Sequence, residues 1–488
     1  MGQADGAGHA VVIGSGTAGL TAARALSRSL DRVTVIERGR LPRGTERRRD
    51  VPQARHTHTL MPAAEAGLER LFPGIGRELT AAGAVRVRMA ADMLVLGPAG
   101  WLPRQDAGTS LLSAGRDLID AALRDRLRAD PKVTFLHEHE VVALRPGRHS
   151  TVTGVWARAR SRREPGGLGP RRLLPAEFVV DASGAASAAP RWLAELGYDA
   201  PGETVVESGA SYASTLLAPP VGHVATWKSL LFLAAPDTPL QGQLHPVEGG
   251  RWSVSLRCGP GARLPTDHEG LVRATAALRH PLLHDVLATA TPLGPVYTCT
   301  RTQNRWRHYE RLRRWPDQFL VLGDALATLD PAHGQGMTLA VESALVLDHL
   351  LGSHGTVVGL SYRLRRALAH QVGATWRLST RNVRLTAGDD PDAGGPPGLR
   401  TRLARRSAAR IEAAATSDAD AATMLLDQLQ ALAPRGPLGP RALWAAARAR
   451  VRTPVPQPVP VTPLTARSRP RYAANSLENQ WSWRGNSA

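Results

Sequence analysis

The stretch His9-Ala-Val-Val-Ile-Gly14-Ser15-Gly16-Thr-Ala18-Gly19 decides how this chain folds. Ala10 to Ile13 is a short apolar run suited to a buried parallel strand. The three glycines stand at the G-x-G-x-x-G spacing. Gly14 permits a tight turn, Gly16 lets the backbone approach a pyrophosphate, and Gly19 lets a helix pack on the strand. The Ala-, Leu- and Arg-rich run from Leu20 to Leu30 reads as that helix. Its N-terminus offers free N–H groups and the positive end of the helix dipole to phosphate. A second apolar run, Val33 to Ile36, ends in Glu37, 18 residues after Gly19, with Arg38 next to it. An acid at that place meets the adenosine ribose hydroxyls, which favours FAD or NAD over NADP.

A second segment lies about three hundred residues further on: Phe319-Leu-Val-Leu-Gly323-Asp324-Ala325, then Pro331-Ala-His-Gly334-Gln-Gly336-Met337. Phe319 to Leu322 is again a buried-strand pattern. The carboxylate that follows can accept hydrogen bonds from a sugar-alcohol chain such as the flavin ribityl. A Gly-rich loop leading into a helix can stabilise negative charge at the flavin pyrimidine edge.

With 488 residues the chain has room for two or three domains or lobes. Its net charge of +19 raises the question of nucleic acid. All basic residues except Lys132 and Lys228 are arginines, a bias of the kind a high-GC genome produces, so no nucleic-acid partner is expected. Cys258 and Cys299 make neither a disulfide framework nor a metal site. No signal peptide is evident, and no apolar run reaches the ~18 residues of a membrane span. The expectation is a soluble cytoplasmic protein without a stable membrane span.

Along the chain, Ala63–Leu71 and a stretch from Gly115-Arg116 to about Leu127 read as helices. Strands are expected at Val133–Leu136, Glu140–Leu144 (including Val141), Thr151–Ala159 and Phe178–Asp181. Trp252-Ser-Val-Ser-Leu256 alternates, as in an antiparallel sheet with one covered face. Helices are expected over 271–290 with a break at Pro281, over 338–351, and over 361–385, 400–415, 418–432 and 440–451. The tail beyond Arg452 is Pro-, Arg- and Ser-rich and reads as disordered.

These pieces resemble the FAD-dependent aromatic-hydroxylase superfamily: Gly14 to Gly19 with Glu37, Arg116 after Gly115, Asp181-Ala-Ser-Gly184, Gly323-Asp324, and Pro331 with Gly334-Gln-Gly336-Met337. More narrowly, the chain looks like bacterial polyether-type flavin epoxidases of the lasalocid and monensin kind, relatives of squalene epoxidase. That likeness rests on Val51-Pro-Gln-Ala-Arg55-His56-Thr-His58, Trp192-Leu-Ala-Glu-Leu-Gly197, Tyr212-Ala-Ser, Glu248-Gly-Gly-Arg-Trp252, Asn304-Arg-Trp306 and Trp315-Pro-Asp317. It covers roughly residues 8 to 450. The chain departs from the family where Ala185-Ala-Ser187-Ala188-Ala189 stands in place of a frequent Arg.

The resemblance implies an α/β fold: a Rossmann-like, three-layer, discontinuous FAD-binding domain with an inserted antiparallel-sheet substrate domain and a C-terminal helical region. The expected boundaries are 8–200 for the first FAD-binding part, within which 60–115 serves the substrate side, and 201–300 for the substrate sheet. The second FAD-binding part is 301–355, the helical region 356–452 and the tail 453–488.

The resemblance also implies a monooxygenase that passes one oxygen from a flavin hydroperoxide to an alkene of an apolar polyketide or isoprenoid, as in antibiotic biosynthesis. NAD(P)H would supply electrons directly or through a separate flavin reductase. Gly14, Ser15, Gly16, Ala18, Gly19, Glu37 and Arg38 fall to the adenosine half of FAD. Arg55, Arg116, Val141 and Asp181 are further contacts. Gly323, Asp324, Pro331, Gly334, Gly336 and Met337 hold the ribityl and ring. No acid/base dyad is expected, because the cofactor carries the difficult step. The candidates beside the ring are His56, with His58 two residues on, His333 and Pro331. Tyr212, Trp227, Phe232 and Trp252 are candidates for the substrate cavity; ordinary sheet core is the competing reading. An aromatic or indole hydroxylase is the alternative. A prenyl-chain reductase, a flavin halogenase and a non-catalytic flavin-fold protein stand further off, the halogenase because it needs an active-site Lys.

Overall fold

The computed structural model describes residues 8–48, 52–106, 108–160, 167–235, 237–300, 302–331, 334–355, 359–386 and 399–429. At its centre His9–Ile13, Arg32–Glu37, Val133–His137, Phe178–Asp181 and Phe319–Val321 form one five-stranded parallel sheet. The order is 319–321, 178–181, 9–13, 32–37, 133–137, so strands from the two ends of the folded region lie two positions apart. Both faces of a parallel sheet must be covered, which is why these strands are continuous apolar runs.

Helices Thr17–Ser29, Arg116–Arg128 and Gln335–His354 cover one face. The antiparallel strands His139–Pro146, Val152–Ala159 and Arg172–Pro175 contribute Val141, Leu144, Val152 and Val155 to the same core. The result is the expected three-layer α/β arrangement.

The second sheet has eight strands. Ser211–Ala218, Arg251–Cys258, Gln241–Val247 and Ser229–Phe232 run antiparallel in that spatial order. Met93–Gly97, from the early inserted segment, joins it as a parallel neighbour of Ser229–Phe232. The strand is MLVLG, too short to be told from other apolar runs by periodicity.

Helices His268–Thr275 and Leu282–Thr289 cover one face of this sheet, the break falling at Pro281 as expected. Leu360–Thr386 packs on Gln335–His354. Leu399–Ala415 and Ala419–Leu429 make a hairpin that packs Ala414, Ala415, Ala421, Ala422 and Leu426 onto Met89, Met93, Val95 and Leu111. The helix expected over 440–451 and the tail 453–488 lie outside the described residues. Among the described residues no helix is long and apolar enough to cross a membrane.

Candidate functional site

The first cradle is built by close backbone approach. Gly14 has φ of +98°, and a Cβ on it would lie 2.5 Å from the carbonyl oxygen of Ala182. A Cβ on Gly19 would sit 1.9 Å from the carbonyl oxygen of Gly14, so only glycine lets the helix start so near the strand. The Cβ position of Gly16 meets nothing within 4 Å. Gly16 is also the N-cap of Thr17–Ser29, without a side-chain cap. Bare backbone N–H groups therefore face open space, as a pyrophosphate requires.

Glu37 is buried at the end of its strand. It accepts hydrogen bonds from the Ser15 N–H (3.0 Å), the Ser15 hydroxyl (2.6 Å) and the Gly39 N–H (2.9 Å), and pairs with Arg48 at 2.8 Å. Burial pushes its carboxyl up, but Arg48 and these three donors outweigh it and hold the group below the ordinary value. Arg48 also donates to the Ser15 carbonyl at 3.2 Å. Sequence reasoning missed Arg48, because nothing in the arginine-rich stretch between Glu37 and Arg55 singles out one arginine.

The second cradle meets the first. Phe319–Val321 leads into a turn at Gly323–Ala325, where Gly323 has φ of +60° and its Cβ would be 2.5 Å from the Cβ of Ala18. Burial pushes the Asp324 carboxyl above its usual value, with the Arg116 charge pulling the other way. Arg116 is held at its helix start by Asp120 at 2.9 Å, and Thr17 also donates to Asp120, at 3.3 Å.

The Asp324 carboxylate accepts no hydrogen bond from the described residues, although it stays partly accessible. A penalised carboxylate without protein donors suits the hydroxyls of a ribityl chain. Beyond it, Pro331 is exposed and His333 lies outside the described residues. Gly334 has φ of +61° and faces the Met61 methyl, its Cβ position 3.0 Å away, while the Cβ position of Gly336 is open. Met337 is buried in the core. Gln335–His354 starts here, again without a side-chain cap.

The substrate sheet presents its alternating faces to different surroundings. Ala213, Leu217, Phe232, Leu244, Trp252, Val254 and Leu256 pack under the two covering helices. Phe232 and Trp252, expected at the substrate cavity, thus belong to this core, where aromatic area is best buried. Trp227 packs against its margin. The opposite face is polar and hydrogen-bonded to the flavin-side segments. Tyr212 donates to Asp330, the residue before Pro331, and accepts from Arg257 Nε at 2.9 Å. Asp330 also accepts from Thr302 at 3.1 Å and donates its N–H to Asn304 Oδ1 at 2.9 Å.

His56 Nδ1 lies 2.9 Å from Ser214 Oγ, which lies 2.7 Å from Ser255 Oγ. Thr57 Oγ1 lies 2.8 Å from Ser253 Oγ. Burial and the Arg55 charge hold the His56 imidazole below its ordinary value, so it is uncharged near neutrality. Ser214, Ser253, Ser255, Arg257 and Asp330 were not found from the sequence. For Ser253, Ser255 and Arg257 the signal was the polar half of the same alternation that marked Trp252; Ser214 and Asp330 lie on other segments.

The other expected contacts fall elsewhere. Arg38 is exposed. Arg55 stacks over Tyr297 at 4.8 Å. Val141 sits in the main core. Asp181 is fully buried and holds its own turn, accepting from the Ser183 N–H at 2.9 Å and the Ser187 hydroxyl at 2.5 Å. Beside the Ala185–Ala189 segment lies Arg307, which donates to the Ala185 and Ala325 carbonyls, both at 3.0 Å.

Two uncapped glycine cradles touching across one parallel sheet, with a second sheet closing over them, define a flavoprotein of the monooxygenase fold. Residues 8–356 match the FAD binding domain family, and the chain belongs to that family, with FAD as its cofactor. It is similar to Protein Rv3254 of Mycobacterium tuberculosis, 31% identical over 385 residues that cover 76% of this chain and 79% of that protein. Its fold is similar to that of PqsL from P. aeruginosa in complex with 2-aminobenzoylacetate: TM-score 0.56, 20% identity, 77% of this chain and 94% of the other. It is similar also to 2-methyl-3-hydroxypyridine-5-carboxylic acid oxygenase: TM-score 0.56, 18% identity, 80% and 93% coverage.

Proposed function

We propose that this FAD-dependent monooxygenase places one atom of dioxygen on a carbon–carbon double bond of a polyketide or isoprenoid that also carries hydrogen-bonding groups. The carrying observation is the polar ladder of Tyr212, Ser214, Ser255 and Arg257 on the sheet face tied to the flavin loop. That face offers hydroxyl and guanidinium partners already ordered by one another, His56 and Asp330, to which a substrate's polar groups can add hydrogen bonds.

Gly14, Gly16 and Gly19 would shape the pyrophosphate site, with Ser15 tying it to Glu37, Arg116 and Asp324 would hold the ribityl region, and Pro331, Gly334 and Gly336 the ring side. Reduced flavin, when bound, activates dioxygen and supplies the oxygen atom that is transferred. NAD(P)H, used directly or through a separate flavin reductase, is the expected source of electrons. The chain's residues orient the substrate and exclude water. Uncharged His56, through Ser214 and Ser255, can accept a proton from a substrate hydroxyl on that face.

Ring hydroxylation is a second reading, favoured by the same polar face, since a phenolic or amino ring needs such partners. Neither lysine suits a halogenase. Lys228 Nζ contacts Asp92 and the Arg86 carbonyl, and Lys132 contacts the Leu30 carbonyl.

The test is purification, a flavin spectrum, and turnover under labelled dioxygen with polyene and phenolic substrates. One labelled oxygen in product is expected. Saturated product without label would mean a reductase, and absence of flavin a non-catalytic protein; either result overturns the proposal.

A further inference from the structure

The helix Leu399–Ala415 has the sequence LRTRLARRSAARIEAAA, with five arginines and one acid. Its first three turns expose one stripe. Leu399 and Leu403 are 68% and 53% exposed, and Arg402, Arg406 and Arg410 are exposed beside them. At 100° per residue these five positions fall within about a third of the helix circumference. Glu412, the single acid, lies across the helix and is partly buried, with burial pushing its carboxyl up. The outward stripe thus carries two leucines and three fixed positive charges, with no negative charge of the helix's own.

The hairpin's inner side packs on the substrate sheet at Met93 and Val95, and on Met89 just before it. Val95 lies in register with Leu231, Gln243 and Ser255, so the hairpin covers the far edge of the sheet's polar face, and the stripe points away from it.

We propose that this stripe docks on an anionic lipid surface. The charge is complementary to such a surface, and arginine stems can lie along the acyl boundary while their heads stay at phosphate level. Two leucines four residues apart give a shallow apolar contact rather than the pocket or ridge a folded partner would need. The overall charge of +19 acts in the same direction. Docking of this kind would place the substrate sheet beside a membrane in which a poorly soluble substrate dissolves.

The test is co-sedimentation of the full FAD-loaded chain with phosphatidylcholine vesicles, with or without added phosphatidylglycerol. Binding should be at least about tenfold stronger to the anionic vesicles and should fall as salt rises. Arg406→Glu should weaken it about fivefold or more, since one basic residue near such a surface is worth about that factor. The double variant Leu399→Ser with Leu403→Ser should also weaken it, and both variants should keep the flavin spectrum of the parent. Equal binding to neutral vesicles, no binding to either, or full binding by both variants would overturn the proposal, the last two pointing to an acidic protein or another face.

Discussion

Asp324, partly accessible, and Glu37, buried, are two acids with opposite electrostatics. Asp324 has no donor among the described residues and is destabilised as an anion, whereas Glu37 is saturated by Ser15, Gly39 and Arg48. Replacing Asp324 by Asn should therefore leave the apo-protein at least as stable near neutral pH, because a penalised charge is removed. The same change should weaken FAD binding by about ten- to a hundredfold, the loss of charge-assisted hydrogen bonds to the ribityl chain. Flavin titration with apo melting curves checks both. A fall in stability with unchanged affinity would refute the assignment.

Glu37 behaves the other way. Its carboxyl is held below the ordinary value in the folded state, so its stabilisation is present above the unfolded value and is lost as pH falls through the folded one. Urea midpoints should drop below about pH 4.5 in the parent. Glu37→Gln should flatten that part of the curve and cost about 3–5 kcal/mol at neutral pH, because Arg48 would be left charged and buried. Glu37 itself was legible from its spacing to Gly19. Arg48 and Arg307 were not, because the arginine that completes each contact arrives through tertiary packing rather than at a fixed sequence offset.

At the scale of one element, Arg251–Cys258 has two faces with two jobs. Trp252, Val254 and Leu256 pack under the covering helices, while Ser253, Ser255 and Arg257 meet the flavin-side segments. Trp252→Ala should cost about 3–5 kcal/mol in chemical unfolding while the folded fraction still takes up FAD. Ser255→Ala removes one hydrogen bond and should cost only about 1 kcal/mol, but it should raise the share of oxygen lost as peroxide during turnover.

Matching effects of the two variants on stability and on peroxide would contradict the division of faces. The alternation of this strand is plain in the sequence, and it fixes which residues share a side. It does not say which side meets the cofactor, because period two is symmetric until the covering element is known. Helices 268–275 and 282–289 take the aromatic side, which leaves the polar side to the flavin loop.

The whole molecule closes its cofactor site from both ends of the sequence. Phe319–Val321 pairs with Phe178–Asp181, the Cβ position of Gly323 meets Ala18, and Gln335–His354 lies on Thr17–Ser29. The paired motifs made this return legible. The parallel joining of Met93–Gly97 to Ser229–Phe232 was not, since a five-residue apolar strand carries no record of a partner more than a hundred residues away.

The return has a consequence for folding. A chain ending at residue 300 contains the entire first cradle and Glu37, yet it lacks an edge strand of the parallel sheet, the helix covering Thr17–Ser29, and Asp324. Without that helix the apolar side of Thr17–Ser29, with Leu20 and Leu26 fully buried in the intact protein, would face water. Such a fragment should show no cooperative melting and no flavin uptake. The full chain should melt cooperatively and gain about 2.7 kcal/mol of stability at FAD concentrations a hundredfold above its dissociation constant. Calorimetry with and without FAD on both chains decides the matter. Flavin binding by the shorter chain would mean that the first cradle suffices alone and that the touching of the two cradles is incidental to cofactor capture.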